Sequence, residues 1–307
     1  METSKLLEKL RPIKVKANRL ANEHMAGAYR SVFKGRGMSF EEVRPYQDGD
    51  DIRVIDWNVS ARSRDLFVKL FVEERELTFF LVLDMSRSAA FGSRGMERKE
   101  LIAQVAAAHA FAAIKNNDRV GLIIHTDRVA HFVPPKKGVT HVLRVIRDIL
   151  EFEPKGGSGD AGEGLSAAVR YLMSVTKKTV NAVLISDFFV PDKRLPDVER
   201  ALSLARQRHD LTAFFAMDPL DDPKARGENM PAAGLVELED LETGAARLVD
   251  LSSRSVRERY GRQASAGRAR VETLFKKLSI HYEHVWTDRD WVPPVNRLYL
   301  RKAKRKH

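Results

Sequence analysis

The sequence predicts an α/β domain with a doubly wound, mostly parallel sheet, preceded by an N-terminal extension. Continuous apolar runs, such as 78–83 and 120–124, are typical of strands that are buried on both faces of a sheet. Segments with helical periodicity separate most of these runs, as right-handed βαβ crossovers require. Polar residues follow two of the runs directly, and they are the candidates for function.

The elements are expected in a regular order along the chain. Six apolar runs are expected to form strands: 78–83, 120–124, 129–133, 180–186, 211–217 and 281–286. The third should be antiparallel, because only a short turn separates it from the second. Helical periodicity predicts helices at 1–33, 97–115, 138–150 and 253–278, one around Leu165 and Leu172, and a terminal helix carrying the basic tail. A short hairpin is expected from 235–238 and 247–251.

Composition narrows the possible function classes. The 307 residues include no cysteine, which excludes disulfides, thiolate nucleophiles and thiolate metal sites. No apolar run approaches the ~20 residues of a membrane helix, and residues 1–16 lack the apolar core of a secretory signal. The expectation is a cytoplasmic protein with no transmembrane segment.

The net charge of +11 is concentrated at the C-terminus, where Arg297–His307 carries six basic residues and no acid. A basic tail can contact acidic surfaces. No stacking aromatic residues and no known nucleic-acid motif accompany this charge, so nucleic acid is not the expected partner.

Oxygen-bearing side chains follow the first and fourth predicted strands. The first strand ends in Asp84, Ser86 and Ser88 at alternate positions, and the fourth is followed by Asp187. Alternate side chains of extended backbone lie on one side. In a doubly wound order of 3-2-1-4, these two strands flank the switch point, where ligands bind beyond the carboxyl ends of strands. Asp84 and Asp187 are therefore expected to meet across the crevice.

Two carboxylates and two hydroxyls form a hard-oxygen set that suits Mg²⁺ or Mn²⁺. A third loop, Gly156–Asp160, offers the hydroxyl of Ser158 and the carboxylate of Asp160, which is also placed to cap the next helix. Mg²⁺ takes about six oxygens, so four or five protein oxygens would leave one or two positions open for water or an incoming carboxylate. The alternative is structural, because each of these residues alone is typical of a turn or helix cap.

The Asp-x-Ser-x-Ser sequence, the Gly-Gly-Ser loop and the later strand-end aspartate resemble the metal-ion-dependent adhesion site of a von Willebrand factor A-type domain, which has a Rossmann-like fold. This resemblance implies that Asp84 and the two serines are first-loop ligands and that Asp187 is the third-loop ligand. The second-loop ligand of that family is a threonine. Here the best match is Ser158, but the spacing from Ser158 to Leu165 is one residue longer than in the family pattern. Either Ser158 or Asp160 therefore fills that role.

A second motif lies in a polar stretch that extends to about residue 65. The segment 44–57 reads Arg-Pro-Tyr-Gln-Asp-Gly-Asp-Asp-Ile-Arg-Val-Ile-Asp-Trp and resembles the signature of domain-of-unknown-function family 58, with similarity over roughly 35–290. The signature residues of interest are Arg44, Tyr46, Gly49, Asp50, Arg53, Asp56 and Trp57. The segment is either a structural brace between the N-terminal segment and the A-type domain, with Trp57 anchored on the sheet, or an exposed recognition surface. The family resemblance implies a MoxR-type AAA+ ATPase and a client protein as partners.

These observations predict three regions: an N-terminal segment 1–76, a von Willebrand factor A-like domain 77–287, and a basic C-terminal helix or tail 288–307. The expected function is a non-enzymatic interaction module that binds an acidic group of its partner through the metal. Two alternatives stay open: a metal-free scaffold with a degenerate site, and a magnesium-dependent phosphoester hydrolase. The chain has no P-loop and no Gly-x-Ser-x-Gly nucleophile elbow, so it is not expected to hydrolyse ATP itself.

Overall fold

The computed structural model describes residues 39–63, 65–72, 77–93, 95–154, 163–221, 234–239 and 246–304. These fall into two compact units, one within Phe33–Leu77 and the other within Thr78–His307. The helix expected at 1–33 and the second-loop candidates Ser158 and Asp160 lie outside the described residues.

The first unit contains a small antiparallel sheet that the polar composition of this stretch did not indicate. Strands β1 (Ser39–Pro45) and β2 (Phe67–Val72) pair with each other. Between them lie a 3₁₀ helix, Ile52–Val54, and the one-turn helix α1, Trp57–Ser60. Ile55 bridges to Val68, and both side chains are buried, so the unit has a small apolar centre of its own.

The described residues of the second unit form eight strands. In chain order they are β3 (Thr78–Asp84), β4 (Arg119–His125), β5 (Val129–Lys136), β6 (Asn181–Ser186), β7 (Asp210–Met217), β8 (Leu235–Glu239), β9 (Ala246–Asp250) and β10 (His281–Trp286). Six form one sheet in the order β10-β7-β6-β3-β4-β5. All pairs are parallel except β4 with β5, and β8 with β9 forms the expected hairpin. The strand order reverses between β3 and β6, as the sequence predicted.

Among the described residues of this unit, six α-helices accompany these strands. They are α2 (Arg98–Lys115), α3 (Val139–Glu151), α4 (Glu163–Val175), α5 (Leu195–Arg208), α6 (Arg254–Lys277) and α7 (Val292–Lys304). Helix α5 lies between the fourth and fifth predicted strands, where no helix is expected from the sequence, and it buries Val198, Leu202 and Ala205 at helical spacing. Within the described ranges, no helix is both long enough and apolar enough to cross a membrane.

The helices cover both faces of the sheet, which confirms the α/β class with a mostly parallel sheet. On one face, α4, α5 and α6 pack against a core that includes Phe80 and Phe215. On the other face, His109 of α2 contacts the rings of Phe214 and Tyr299. Every residue of α2 from 101 to 113 is buried, and its many alanines allow this close approach to the strands.

Helix α7 is more than a solvated basic tail, because several of its cations bind acids of the same unit. Lys302 is 3% exposed, and its Nζ lies 2.9 Å from Thr212 Oγ1 and 2.8 Å from Asp210 Oδ1. Arg301 lies 2.8 Å from Glu283. Part of the basic excess at the C-terminus therefore holds α7 on the sheet.

Replacing Gly164 with alanine is expected to destabilise the fold. A Cβ atom there would lie 1.6 Å from the carbonyl oxygen of Thr126, so α4 or the β4–β5 turn would have to move. Overpacking of this kind costs about 1–3 kcal/mol or more. Gly267→Ala in α6 is a matched control, because its Cβ would meet only Arg270 at 3.9 Å and helical Gly→Ala stabilises by about 0.5–1 kcal/mol. Urea denaturation measures both variants, and equal stability of Gly164→Ala and wild type would contradict the close contact.

Candidate functional site

Strands β3 and β6 bring Asp84 and Asp187 to the same edge of the sheet. The two strands are parallel neighbours with Leu83 opposite Ile185, so their carboxyl ends lie side by side. Asp84 is the last residue of β3, and Asp187 directly follows β6. The carboxylates are close enough for the charge of Asp84 to raise the pKa of Asp187. The structure therefore places these two residues together at the switch point.

Hydrogen bonds fix the carboxylate of Asp84 from both strands. Its Oδ1 accepts the backbone N–H of Ser86 at 3.1 Å, and its Oδ2 accepts the hydroxyl of Ser186 at 2.7 Å. The Ser186 hydroxyl in turn accepts the N–H of Phe188 at 2.8 Å. Ser186, which the sequence analysis did not select, thus links Asp84 to the turn that carries Asp187.

The hydroxyls of Ser86 and Ser88 lie together beside Asp84. Their oxygens are 3.0 Å apart. Ser86 precedes the 3₁₀ helix Arg87–Ala90, but its side chain makes no capping hydrogen bond. Met85 is buried, whereas Asp84 and the two serines are partly exposed, as the alternate positions predicted. A capping role, the structural alternative for Ser86, is therefore not observed.

A tight turn after β6 holds Asp187. Its Oδ1 accepts the N–H of Phe189 at 3.0 Å, and its Oδ2 accepts Nη1 of Arg98 at 3.3 Å. Phe188, the residue between Asp187 and Phe189, has φ of 51°, a left-handed conformation that is rare for a bulky side chain. Its buried ring packs against Phe215 and Phe275, which stabilises this turn and leaves Phe189 61% exposed beside the carboxylate.

Arg98, the first residue of α2, is an unexpected member of the site. Its side chain is almost fully buried, and its two terminal nitrogens contact the Ser88 carbonyl at 2.6 Å and the Asp221 carboxylate at 2.7 Å. Burial lowers the pKa of Arg98, but the charges of Asp187 and Asp221 outweigh burial and raise it. Arg98 therefore stays charged and joins three loops at the carboxyl edge of the sheet.

The electrostatics of Asp187 indicate that the site is short of positive charge. Burial raises the pKa of the Asp187 carboxyl, and the lowering effect of Arg98 does not compensate for it. The neighbouring charge of Asp84 raises this pKa further. A divalent cation beside Asp187 would add positive charge there and favour the ionised form of this carboxyl.

The donor set at this edge fits a hard cation. Each ionised carboxylate oxygen can accept more than one bond, so the protein donors orient Asp84 and Asp187 and leave lone pairs for an ion. Two carboxylates and two hydroxyls suit Mg²⁺ or Mn²⁺ with water completing the shell. No cluster of three or more His, Cys, Asp or Glu side chains suited to a metal occurs in the part of the chain that the structure describes, so any ion here relies on hydroxyls and water.

The signature segment 44–57 divides into two groups of residues, and the first stabilises the small unit. Arg44 binds Asp50 through two hydrogen bonds of 2.7 Å, and Asp50 also accepts the N–H of Gln47 at 2.9 Å. Gly49 has φ of 106°, which only glycine adopts easily. Asp56 caps α1 by accepting two backbone N–H groups. These residues therefore brace the small unit internally.

The second group points into solvent. Trp57 is 66% exposed and Ile52 is 67% exposed, and Arg53 between them is also exposed. Within this unit, the side chain of Trp57 on the short helix α1 is therefore not part of the apolar centre around Ile55 and Val68. Tyr46 is partly buried, and its N–H donates to Leu66 at 2.8 Å. The signature thus contains both a brace and an exposed surface.

Comparisons with known proteins identify relatives of the whole chain. A family model described as "Protein of unknown function DUF58" matches residues 42–270. An uncharacterized protein of Mycobacterium tuberculosis is 30% identical over 304 residues, which cover 99% of this chain and 92% of that protein.

Solved structures show more distant similarity. The conserved hypothetical protein BatB from Bacteroides thetaiotaomicron is 12% identical with a TM-score of 0.45, over 74% of this chain and 99% of that one. A von Willebrand factor type A structure from Catenulispora acidiphila is 15% identical with a TM-score of 0.34, over 48% of this chain and 34% of that one.

Proposed function

Because this chain belongs to the DUF58 family of proteins of unknown function, we propose that it is a non-enzymatic interaction module that binds an acidic group of a partner protein through a divalent metal ion. The observation that carries this proposal is the convergence of Asp84 and Asp187 at the switch point of the sheet. A shortage of positive charge at this solvent-accessible edge is what a bound divalent ion would relieve.

The residues that would hold Mg²⁺ or Mn²⁺ are Asp84, Ser86, Ser88 and Asp187, with Ser158 or Asp160 as the second-loop contribution. When bound, the ion supplies a coordination position that a carboxylate from outside the chain can fill. The protein's contribution is to fix both carboxylates by hydrogen bonds, from the Ser186 hydroxyl to Asp84 and from the Phe189 N–H to Asp187. Phe189, exposed beside Asp187, offers an apolar contact next to that position.

The family resemblance supplies the proposed setting. The partners would be a MoxR-type AAA+ ATPase and a client protein, with this chain as the adaptor or assembly chaperone between them. The exposed side chains of Ile52 and Trp57 offer a second contact surface on the signature unit, separate from the proposed ion. The chain would then bind its partners through two contacts, one that depends on the metal ion and one that is apolar.

Capture of a purified MoxR-type ATPase from the same organism by the immobilised chain tests the function. We expect retention in Mg²⁺, release by a chelator, and no retention by Asp84→Asn. Asp197→Asn, an exposed carboxylate on α5, is the matched control and should behave like wild type. Equal retention with and without chelator would contradict the metal-dependent mechanism.

A metal-free scaffold is the second candidate, and one specific observation favours it. Arg98 already places a positive charge 3.3 Å from Asp187 Oδ2, so the guanidinium would take over part of the role of the ion. In that case Asp84→Asn would leave partner capture unchanged, and chelators would have no effect. The same capture experiment therefore separates the two candidates.

A further inference from the structure

We propose that Arg98 is a positioning residue that holds Asp187 in the orientation needed to bind the metal ion. This inference rests on the proposed function and deepens it. It assigns a role to a buried arginine that lies outside both sequence motifs. The inference is based on the hydrogen bonds that the guanidinium of Arg98 makes.

The guanidinium of Arg98 connects three segments that are far apart in the chain. Its Nη1 donates to the Ser88 carbonyl and to Asp187, and its Nη2 donates to Asp221. The two acids are 89 and 123 residues away along the sequence. A planar fork with fixed donor directions can serve all three acceptors at once, whereas the single ammonium of lysine cannot match this geometry.

The arginine itself is held rigidly at both ends of its side chain. Its backbone begins α2, whose following turns are buried in the second unit, and its guanidinium lies 5.8 Å from the centre of the Phe91 ring. Asp221, its second acid, also accepts the N–H of Asp218 at 2.8 Å. The position of the guanidinium relative to Asp187 is therefore fixed by packed residues.

Each carboxylate oxygen of Asp187 is fixed by one hydrogen bond. Oδ2 accepts a hydrogen bond from Arg98 and Oδ1 accepts one from the Phe189 N–H. Rotation of the carboxylate about the Cβ–Cγ bond is therefore restricted. Each oxygen keeps accepting capacity for a further partner. This is the arrangement by which residues behind a metal ligand orient it and raise the affinity of the site.

A competing effect has the opposite sign. A guanidinium close to a bound cation repels it, so removal of Arg98 would strengthen metal binding if repulsion dominated. The charge of Arg98 is shared with Asp221 at 2.7 Å, which is nearer than Asp187 at 3.3 Å. We therefore expect orientation to outweigh repulsion, and the sign of the change in affinity distinguishes the two effects.

Titration of the full chain with Mn²⁺ alone, followed by calorimetry and by the electron paramagnetic resonance signal of free Mn²⁺, tests the inference. We expect Arg98→Gln to raise the dissociation constant about 10–100-fold, as for other residues that orient metal ligands. Arg98→Lys should recover part of the affinity, because its ammonium can still donate a hydrogen bond but lacks the fork that serves all three acceptors. Arg170→Gln, an exposed arginine on α4, is the control and should match wild type.

The outcomes separate this inference from the proposed function. If wild type binds no Mn²⁺, both are overturned. If wild type binds Mn²⁺ and Arg98→Gln binds equally or more tightly, only the positioning role is overturned. If Arg98→Gln fails to fold, Asp221→Ala decides, because loss of the second acceptor frees the guanidinium to shift; unchanged affinity there would also overturn the role.

Discussion

Replacing Asp218 with alanine is expected to lower the free energy of unfolding by about 2–4 kcal/mol, because each buried donor left without an acceptor costs about 1–3 kcal/mol. Asp218 is fully buried just after β7. Its carboxylate accepts the N–H of Ser93 at 2.8 Å, the N–H of Leu220 at 2.9 Å and the hydroxyl of Thr287 at 3.1 Å. It thereby joins three loops at the carboxyl edge of the sheet.

The same residue gives a pH dependence with a defined sign. Burial raises the pKa of Asp218, but the hydrogen bonds from Ser93, Leu220 and Thr287 outweigh burial and hold it below the ordinary value of 3.8. A carboxyl with a lowered pKa stabilises the fold above its ordinary pKa, and this contribution is lost as the pH falls toward the folded-state value. The difference between wild type and Asp218→Ala should therefore be constant at neutral pH and shrink below about pH 4.

Urea denaturation at several pH values measures this difference. Asp197→Ala is the control, because its side chain is half exposed and exposed substitutions usually change stability by about 0.5 kcal/mol or less. A loss of less than about 1 kcal/mol for Asp218→Ala, within the range of ordinary substitutions, would contradict the bracing role. A difference that grows as the pH falls would contradict the lowered pKa.

Asp84→Asn is expected to weaken Mn²⁺ binding by more than about 100-fold, beyond the range seen for residues that only orient ligands. The charge and one ligand oxygen are lost, whereas the side chain keeps its size. An amide at this position can still accept the N–H of Ser86 and bond to the hydroxyl of Ser186, the two partners of the native carboxylate. The loss of affinity should therefore occur without loss of the fold.

Calorimetric titration and thermal unfolding of Asp84→Asn measure the two properties separately. Asp127→Asn is a suitable control, because Asp127 lies in the turn between β4 and β5 and its carboxylate accepts the hydroxyl of Thr126 at 2.8 Å. We expect wild-type affinity for this control. Wild-type affinity in Asp84→Asn would contradict the assignment of Asp84 as a metal ligand.

The sheet of the second unit was predictable because its strands are buried on both faces and read as continuous apolar runs. The run 79–83 and the run 182–185 are wholly buried, and the helices between strands fixed the order with its reversal at β3 and β6. From that order alone, Asp84 and Asp187 were expected at one edge. The pair of strands β1 and β2 was not apparent, because alternating charged residues such as Glu42 and Arg44 mask a short, partly exposed sheet.

The remainder of the site was not predictable, because it depends on contacts between distant segments. Arg98 begins a helix whose apolar residues indicate only a core helix, and its two acids become neighbours only when the strands are ordered. Asp218 and Asp221 lie after β7 in a stretch that reads as a surface loop. Lys302 is similar, since a basic helix end gives no sign that one of its cations is buried against Asp210.

A crystal of the full chain soaked in Mn²⁺, measured at a wavelength where manganese scatters anomalously, tests the central claim most directly. We expect one strong anomalous peak within about 2.0–2.6 Å of oxygens from Asp84, Ser86, Ser88 and Asp187, the range for hard divalent cations, with Asp187 still bonded to Arg98. A saturating soak that leaves this edge without a peak, while the guanidinium alone neutralises Asp187, would contradict the proposed metal site.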